Sequence, residues 1–270
     1  MLIETLSTFP HMYDSVMGES MMKRAQEKGI LEFRAHDLRD WTHDRHRTTD
    51  DDPYGGGAGL VMKCDPIFEA VEAILGKEFV EAKLAAAPPQ ADSQQAPQIV
   101  FLAPQGRPFD DAYADKLAAA DHLLFICGHY EGIDERVYAL ADHVISLGDY
   151  VLTSGELASM VVIDAAVRKL PGVLGAADGP VDESFTSGLL EYPQYTRPAD
   201  FRGMRVPEVL TSGNHAAIAR WRREQSLART AAARPDLIAA AEAAGRLTPA
   251  DQKFLKLLEP APTGAAEGVS

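Results

Sequence analysis

The chain alternates short apolar runs with longer segments in which apolar residues recur at helical spacing. The runs are Leu2–Ile3, Ile99–Ala103, Leu123–Cys127 and Val144–Ile145, and turn-forming or polar residues follow them. Such runs are typical of buried parallel strands that lead into loops. The alternation of apolar and polar residues around Phe33 predicts a fifth, more exposed strand. Together, these patterns predict an α/β domain built on a parallel sheet.

Two helices are predicted between these strands. Asp65 and Pro66 provide an N-cap and a first-turn proline for an apolar stripe that extends from Ile67 to Leu75. The most apolar stretch, Leu157–Val167, is interrupted by Asp164 and is far shorter than the roughly 18–20 apolar residues of a membrane span. We therefore expect a buried helix there and no membrane-spanning segment.

Composition changes divide the chain further. Residues 85–98 are rich in Ala, Pro, Gln and Ser and predict a flexible insertion, because such a segment buries little apolar surface. Residues 176–180 have no apolar period and indicate the start of a linker. Two short helices are expected beyond it, one over Pro235–Ala244 with Gly245 as C-cap and one begun by Thr248, with Asp251 in the capping-box position.

Charge is distributed unevenly. The sequence has 26 Lys and Arg against 40 Asp and Glu, a formal net charge of −14, which argues against a general nucleic-acid coat protein. Thr196–Thr230, however, holds seven Arg against three acidic residues, a local charge of 7 − 3 = +4. Because no export signal is evident at the N-terminus, the cytoplasm is the expected compartment.

Glycine-rich segments follow several of the predicted strands. The densest glycine cluster, Tyr54–Gly59, fits neither the Walker pattern nor G-x-G-x-x-G, and as an isolated loop its alternative is a flexible turn. The loops Gly128–Asp134 and Ser146–Leu152 follow buried strands, at the sheet edge where open α/β sheets bind ligands. Their glycines could instead serve only tight turns.

Six motifs in order resemble one family. They are Tyr54–Gly59, Cys127–Arg136, Ser146–Glu156, Pro171–Gly175, Tyr195–Pro198 and Leu210–His215. At this spacing they closely resemble the bacterial tRNA (guanine-N1)-methyltransferase family, TrmD, over nearly the whole chain.

The resemblance implies a SPOUT-type α/β domain with a parallel sheet and a C-terminal trefoil knot, in a homodimer. It implies an adenosylmethionine-binding domain at residues 1–175, a linker at 176–186, a smaller helical tRNA-binding domain at 187–258 and a disordered tail at 259–270. The implied activity is methyl transfer from S-adenosyl-L-methionine, with Mg²⁺ support, to N1 of the guanine immediately 3′ of the anticodon, position 37. We assign no metal ligands from the sequence.

The adenosylmethionine site implied by the resemblance draws on three loops in which backbone groups dominate. Its residues are Pro104, Gly128, Tyr130, Glu131, Gly132, Ile133, Leu147, Gly148, Asp149, Tyr150, Val151, Leu152 and Gly155.

The residues expected to contact tRNA form two groups. The resemblance places the target guanine against the glycine-rich loop, and we expect phosphate contacts from arginines of the basic stretch. The two groups are Tyr54, Gly55, Gly56, Gly57 and Gly59, and then Arg220, Arg222 and Arg223.

The implied catalytic groups are an arginine and a carboxylate. Arg168 matches the arginine that stabilises negative charge on guanine O6 as N1 loses its proton. The family's base is the aspartate of Glu-Asp-Ser, whereas this chain has Asp182, Glu183 and Ser184. Counting back from Ser184 favours Glu183 as the base, and Asp182 remains the alternative. This inversion leaves open a catalytically impaired homologue that still binds tRNA and adenosylmethionine. A nucleotide-binding enzyme unrelated to RNA is a third reading.

Overall fold

The computed structural model describes residues 1–85, 95–174 and 183–258. The chain divides into two compact units, Met1–Gly179 and Pro180–Ser270, which we describe separately. The predicted insertion lies largely outside the described residues, although Gln98 is buried and begins a strand. Most of the predicted linker and the whole predicted tail also lie outside them.

The first unit contains seven strands and six α-helices within its described residues. The strands are β1 (Leu2–Ser7), β2 (Glu32–Asp37), β3 (Asp50–Asp51), β4 (Val61–Met62), β5 (Gln98–Pro108), β6 (His122–Ile126) and β7 (His143–Ser146). The helices are α1 (Asp14–Met17), α2 (Ser20–Glu27), α3 (Cys64–Leu75), α4 (Lys77–Ala85), α5 (Asp111–Ala118) and α6 (Gly155–Val167).

Five of these strands form one parallel sheet in the order β2-β1-β6-β5-β7. All five coincide with the predicted strands, so the predicted parallel α/β sheet is confirmed. β2 is the exposed edge strand that the alternation around Phe33 predicted. The short strands β3 and β4 pair antiparallel in a separate ribbon.

Helices cover both faces of the sheet. Alternate residues of a strand point to opposite faces, so Ile3 belongs to one apolar cluster and Leu6 to the other. The Ile3 cluster packs against α1, α2, α5 and α6. The Leu6 cluster packs against α3, α4 and the 3-10 helices Leu38–Trp41 and Glu135–Leu140. The unit is thus a three-layer α/β/α domain.

Two helix predictions need correction. α3 begins at Cys64, so Asp65 lies inside the first turn and is not the N-cap; Lys63 takes that place and makes no side-chain capping hydrogen bond. α6 is buried on one side only, because Leu157 and Val161 are 43% and 54% exposed. Its other side contributes to the core and carries the fully buried Glu156.

The second unit is mainly helical. Its elements are β8 (Asp200–Phe201), β9 (Met204–Arg205), α7 (Glu208–Thr211), α8 (His215–Ala233), α9 (Pro235–Ala243) and α10 (Pro249–Leu258). A small apolar core around Leu189, Leu227 and Ala241 holds it together. Sequence reasoning had not delimited α8, which carries four of the seven arginines of the basic stretch.

Both predicted helix signals in this unit are present. After α9, Gly245 has φ +65°, and Arg246 N–H donates to Ala241 O at 2.9 Å, a bond that closes the helix end. Before α10, Thr248 N–H donates to Asp251 Oδ2 at 2.9 Å, and Asp251 N–H donates to Thr248 Oγ at 3.2 Å. This reciprocal pair is the predicted capping box.

Candidate functional site

A cavity of about 320 Å³ lies at the carboxyl ends of β5, β6 and β7. It is lined by every residue that the sequence analysis assigned to cofactor binding except Asp149, which is exposed outside it. The lining residues from that prediction are Pro104, Gly128, Tyr130, Glu131, Gly132, Ile133, Leu147, Gly148, Tyr150, Val151, Leu152 and Gly155. The sheet edge therefore brings together loops more than 40 residues apart in sequence.

The wall between the β6 loop and α6 depends on a close backbone approach. Gly155 N–H donates to Gly128 O at 2.7 Å. A Cβ at Gly155 would lie 2.7 Å from Gly128 N, closer than a side chain allows. His129 and Ser154 form a backbone bridge beside this contact. The first turn of α6 is consequently fixed against the cavity, as only glycine permits.

β5 bends where it lines the cavity. Leu102 and Arg107 both pair with Ile145, so the intervening residues, which include Pro104, bulge out of the ladder. A Cβ at Gly106 would come within 2.5 Å of the backbone of Ile145. The strand therefore continues past the apolar run, where the sequence pattern predicted only a loop.

Tyr130 occupies a strained position on the cavity wall. Its φ of +57° is rare for a residue with a side chain. Partial burial raises the pKa of its phenol, and the nearby carboxylate of Asp50 raises it further. Tyr130 thus stays protonated across the neutral pH range, and Asp50 accepts a hydrogen bond from its phenol.

A buried polar cluster lies at the start of α6. Ser7 Oγ donates to Glu156 Oε1 at 2.5 Å, and the other oxygen, Oε2, lies 4.0 Å from Nδ1 of His129. Tyr13 OH lies 2.6 Å from Ser159 Oγ and 3.1 Å from the Sγ of Cys127. Burial, together with the nearby carboxylate of Glu156, raises the pKa of the Cys127 thiol to about 12. The thiol is therefore protonated and unreactive.

The glycine-rich loop ends beside the cavity. Gly55, Gly56, Gly57 and Gly59 all have positive φ, and Tyr54 is fully exposed. Past the loop, Leu60 O accepts a hydrogen bond from the backbone N–H of Glu131 at 3.1 Å. A Cβ at Gly59 would lie 2.4 Å from the Cγ of Glu131, a cavity residue.

Among the predicted catalytic residues, Arg168 is the one that lies in the same unit as the cavity, and it lies away from the cavity of its own chain. Arg168 is the C-cap of α6, whereas Gly155 at the other end of that helix lines the cavity. A helix of 13 residues rises about 20 Å between its ends, which separates Arg168 from the cavity. Glu183 is half-buried in the second unit, and Asp182 lies outside the described residues.

The three predicted phosphate-binding arginines differ in their surroundings on α8. Arg220 and Arg222 are exposed. The Arg222 guanidinium stacks 4.8 Å from the ring centre of Tyr192. Arg223 makes a two-bond salt bridge to Asp251, with Nε to Oδ1 at 3.0 Å and Nη2 to Oδ2 at 2.9 Å. That guanidinium already holds two elements of the unit together.

Several cavity residues were missed by sequence reasoning. His129 and Ser154 lie inside the motifs Cys127–Arg136 and Ser146–Glu156, and that position was the available signal. Gln105 and Tyr138 also line the cavity and had no such signal. Within the described ranges, no group of three or more His, Cys, Asp or Glu residues is arranged to hold a metal ion. No helix in those ranges is long and apolar enough to cross a membrane.

The fold and the cavity define an α/β protein with a cavity at the carboxyl ends of parallel strands, the usual place for a small-ligand site, where glycines expose backbone donors and acceptors. The chain itself belongs to the tRNA (Guanine-1)-methyltransferase TrmD family, whose model matches residues 1–240.

Relatives agree over most of the chain. The tRNA (guanine-N(1)-)-methyltransferase of Limosilactobacillus reuteri (strain DSM 20016) is 52% identical over 242 residues, which cover 90% of this chain and 91% of the relative. The relative of the same name from Symbiobacterium thermophilum is 52% identical, and the matched residues cover 95% of this chain and 97% of the relative. The relative of the same name from Geotalea uraniireducens is 49% identical, and the matched residues cover 96% of this chain and 97% of the relative.

Proposed function

We propose that this protein transfers a methyl group from S-adenosyl-L-methionine to N1 of a tRNA guanine, the one immediately 3′ of the anticodon, position 37. The observation that carries the proposal is the family match over residues 1–240, together with relatives of about half identity that bear the corresponding name. The comparisons give no support to a catalytically impaired homologue. Because tRNA is used inside the cell, the expected compartment is the cytoplasm.

The cavity fits S-adenosyl-L-methionine, which supplies the methyl group when bound. At about 320 Å³ the cavity is within the range of small-ligand sites. Ile133 and Leu147 offer apolar surface to an adenine ring, and the loops around Gly128 and Gly148 offer backbone donors and acceptors to its edge. Glycine at 155 keeps the α6 amides within reach of the cavity. We therefore assign the twelve lining residues of the prediction to this site and leave Asp149 as an outer neighbour.

The glycine-rich loop and the predicted catalytic residues act on the guanine that accepts the methyl group. The glycine-rich loop faces the guanine, and Gly59 packs so closely on Glu131 that a Cβ there would overlap the Glu131 side chain. Arg168 stabilises the negative charge on O6, and Glu183 accepts the N1 proton, with Asp182 as its alternative. The Mg²⁺ requirement is part of the proposal, but we assign no residues to the ion.

A homodimer would bring Arg168 to a cavity. Within one chain the two lie at opposite ends of α6, about 20 Å apart, whereas a fixed cation must touch the developing charge. The exposed side of α6 carries Leu157 and Val161, two apolar side chains that a second copy would cover. We therefore propose that each active site combines the cavity of one protomer with Arg168 of the other.

We also propose the SPOUT trefoil knot in residues 1–175, followed by the linker at 176–186 and a tRNA-binding domain at 187–258. Two close backbone passages support the knot. Gly106 lies against Ile145, and Gly155 lies against Gly128, as expected where segments thread past one another at the cavity.

Methyl transfer to defined tRNAs tests the proposal. The assay combines purified protein, labelled S-adenosyl-L-methionine and unmodified tRNA that has guanine or adenine at position 37. We expect label at N1 only with the guanine tRNA. Binding of both ligands without transfer would overturn the proposal in favour of the impaired homologue. Absence of tRNA binding at low salt would indicate an enzyme unrelated to RNA.

The identity of the base needs its own pair of variants. Glu183→Ala should abolish turnover and leave adenosylmethionine affinity unchanged, because the base acts on the guanine. Asp182→Ala should have a smaller effect. Full turnover by the Glu183 variant would refute the assignment.

A further inference from the structure

A second cavity, of about 390 Å³, lies within the second unit. It is formed by the segment that precedes β8, by Val206 after β9, by α7 and by one side of α8. Its lining includes Tyr192, Tyr195, Arg197, Leu210, Ile218 and Arg222. Its volume is within the range of small-ligand sites.

The chemistry of this cavity is aromatic and cationic. Tyr195 is 49% exposed, and the Trp221 ring centre lies 6.4 Å from its own. Arg222 stacks on Tyr192, which fixes a guanidinium at the cavity. No carboxylate is among the residues that line it. The neighbouring Glu191 accepts a hydrogen bond from Gln194 Nε2 at 2.5 Å.

These features match a nucleotide better than other ligands. A flat ring stacks on tyrosine and a phosphate pairs with arginine, a combination that binds unpaired nucleotides with little sequence preference. The cavity would not favour an acidic metabolite without a ring, because a large share of its lining is aromatic and aliphatic. Net positive lining also disfavours a basic peptide.

We propose that this cavity holds one unstacked nucleotide of the substrate tRNA, with its base against Tyr195 and a phosphate near Arg197 and Arg222. The inference rests on the proposed function and adds a second, non-catalytic contact for the same substrate. It also gives Arg222 a defined partner, the phosphate of an anchored nucleotide.

Trp221 provides a direct reporter. The chain has two tryptophans, Trp41 and Trp221, so Trp41→Phe leaves one emitter beside Tyr195. Titration of the Trp41→Phe protein with unmodified tRNA should quench its fluorescence. Guanosine monophosphate should bind at least 100-fold more weakly than tRNA, because it lacks the other contacts. Equal affinity for both would overturn the assignment to tRNA and indicate a free nucleotide.

Variants of the ring test the stacking contact. Tyr195→Ala should weaken tRNA binding about 10- to 100-fold, the loss of one base stack, and abolish the Trp221 response. Tyr195→Phe keeps the ring and should restore both. Phe201→Ala removes a comparably exposed aromatic that lies outside the cavity lining and should change neither. If Tyr195→Ala does not fold, Tyr195→Leu retains the apolar packing and takes its place.

Methyl transfer in the same samples separates the two proposals. Turnover with no Trp221 response, and wild-type tRNA affinity for Tyr195→Ala, would refute the second cavity as a nucleotide site while the proposed function stands. A Trp221 response to RNA without turnover on any guanine-37 tRNA would refute the proposed function and support the cavity.

Discussion

Replacing Arg223 with alanine separates a structural role from a tRNA contact. The sequence pattern places Arg223 with Arg220 and Arg222 as a phosphate ligand, but its guanidinium forms two hydrogen bonds to the carboxylate of Asp251. Asp251 is buried and also caps α10 through Thr248. The substitution therefore leaves a buried carboxylate that retains only its capping contacts.

The expected cost follows from burial. Removing one partner of a fully buried ion pair costs about 3–5 kcal/mol. The Arg223 side chain is 37% exposed, so solvent screens the pair and we expect about 1–3 kcal/mol. For a unit of this size, each kcal/mol lowers the melting temperature by about 4–8 °C. Arg223→Ala should therefore lower the melting temperature of the second unit by at least about 4 °C.

The same pair predicts a pH dependence. Burial alone would raise the pKa of Asp251, but hydrogen bonds from Arg223 and Thr248 outweigh it and hold the pKa below its usual value. A lowered folded-state pKa gives stability that is complete above the unfolded pKa, about 3.9, and is lost as pH falls through the folded value. Arg223→Ala should lose less stability than the wild type on acidification below about pH 4.

Calorimetry and salt-dependent tRNA binding together decide the role. Arg222→Ala should reduce the slope of log affinity against log salt by about 0.7–0.9, the contribution of one phosphate contact. Arg223→Ala should leave that slope unchanged while it lowers the melting temperature. An unchanged melting temperature with a flatter salt slope would refute the reasoning and restore Arg223 as a phosphate ligand.

Three further outcomes are expected in the first unit. Gly106→Ala should lower the free energy of unfolding by about 1–3 kcal/mol, because the added Cβ would overlap the backbone of Ile145. An unchanged midpoint in a denaturant titration would contradict this. Gly59→Ala should weaken adenosylmethionine binding about 10-fold, as measured by titration calorimetry. The added Cβ would displace Glu131, and a φ of +84° is strained for alanine. Wild-type affinity would show that the loop adapts. Burial lowers the pKa of His143 to about 4, so the free energy of unfolding should fall by about 2–3 kcal/mol between pH 7 and 4.5. The variant His143→Gln should not show that part of the loss. Equal pH dependence of the two proteins would contradict the role of His143.

The strands could be predicted because their burial is encoded locally. A short apolar run such as Leu123–Cys127 buries all its side chains most readily as a central strand of a sheet. The second half of β5 could not be predicted in this way. It contains Pro104 and Gly106, which are usual in turns, and it extends because Arg107 pairs with Ile145 on a strand almost 40 residues further along the chain.

The cavity loops were predictable for a similar reason. Parallel strands place their carboxyl ends at one edge, so the loops after β6 and β7 had to meet. The separation of Arg168 from the cavity could not be derived from motif order, because it depends on the length and direction of α6. The Arg223–Asp251 pair was equally hidden, since the two residues are 28 positions apart on different helices.

The cavity lies where the fold departs most from ordinary polar pairing. Among the described residues, five have a buried side-chain atom with no hydrogen-bond partner: Thr5, Thr8, His129, Ser154 and Glu156. They belong to β1 and the residue after it, the loop after β6 and the start of α6, and two of them line the cavity. Each such atom costs about 1–3 kcal/mol.

Unsatisfied polar atoms of this kind are expected at functional sites, where the rest of the fold compensates for their cost. Nδ1 of His129 and Oε2 of Glu156 are 4.0 Å apart, so an approach of about 1 Å would convert two unpartnered atoms into one hydrogen bond. The backbones of the β6 loop and α6 already touch through Gly128 and Gly155, so that approach is a movement of the His129 and Glu156 side chains, which a ligand in the cavity would favour. Ligand affinity and the stability of the first unit are then linked through this pair, since whatever binds the folded state more tightly also stabilises it.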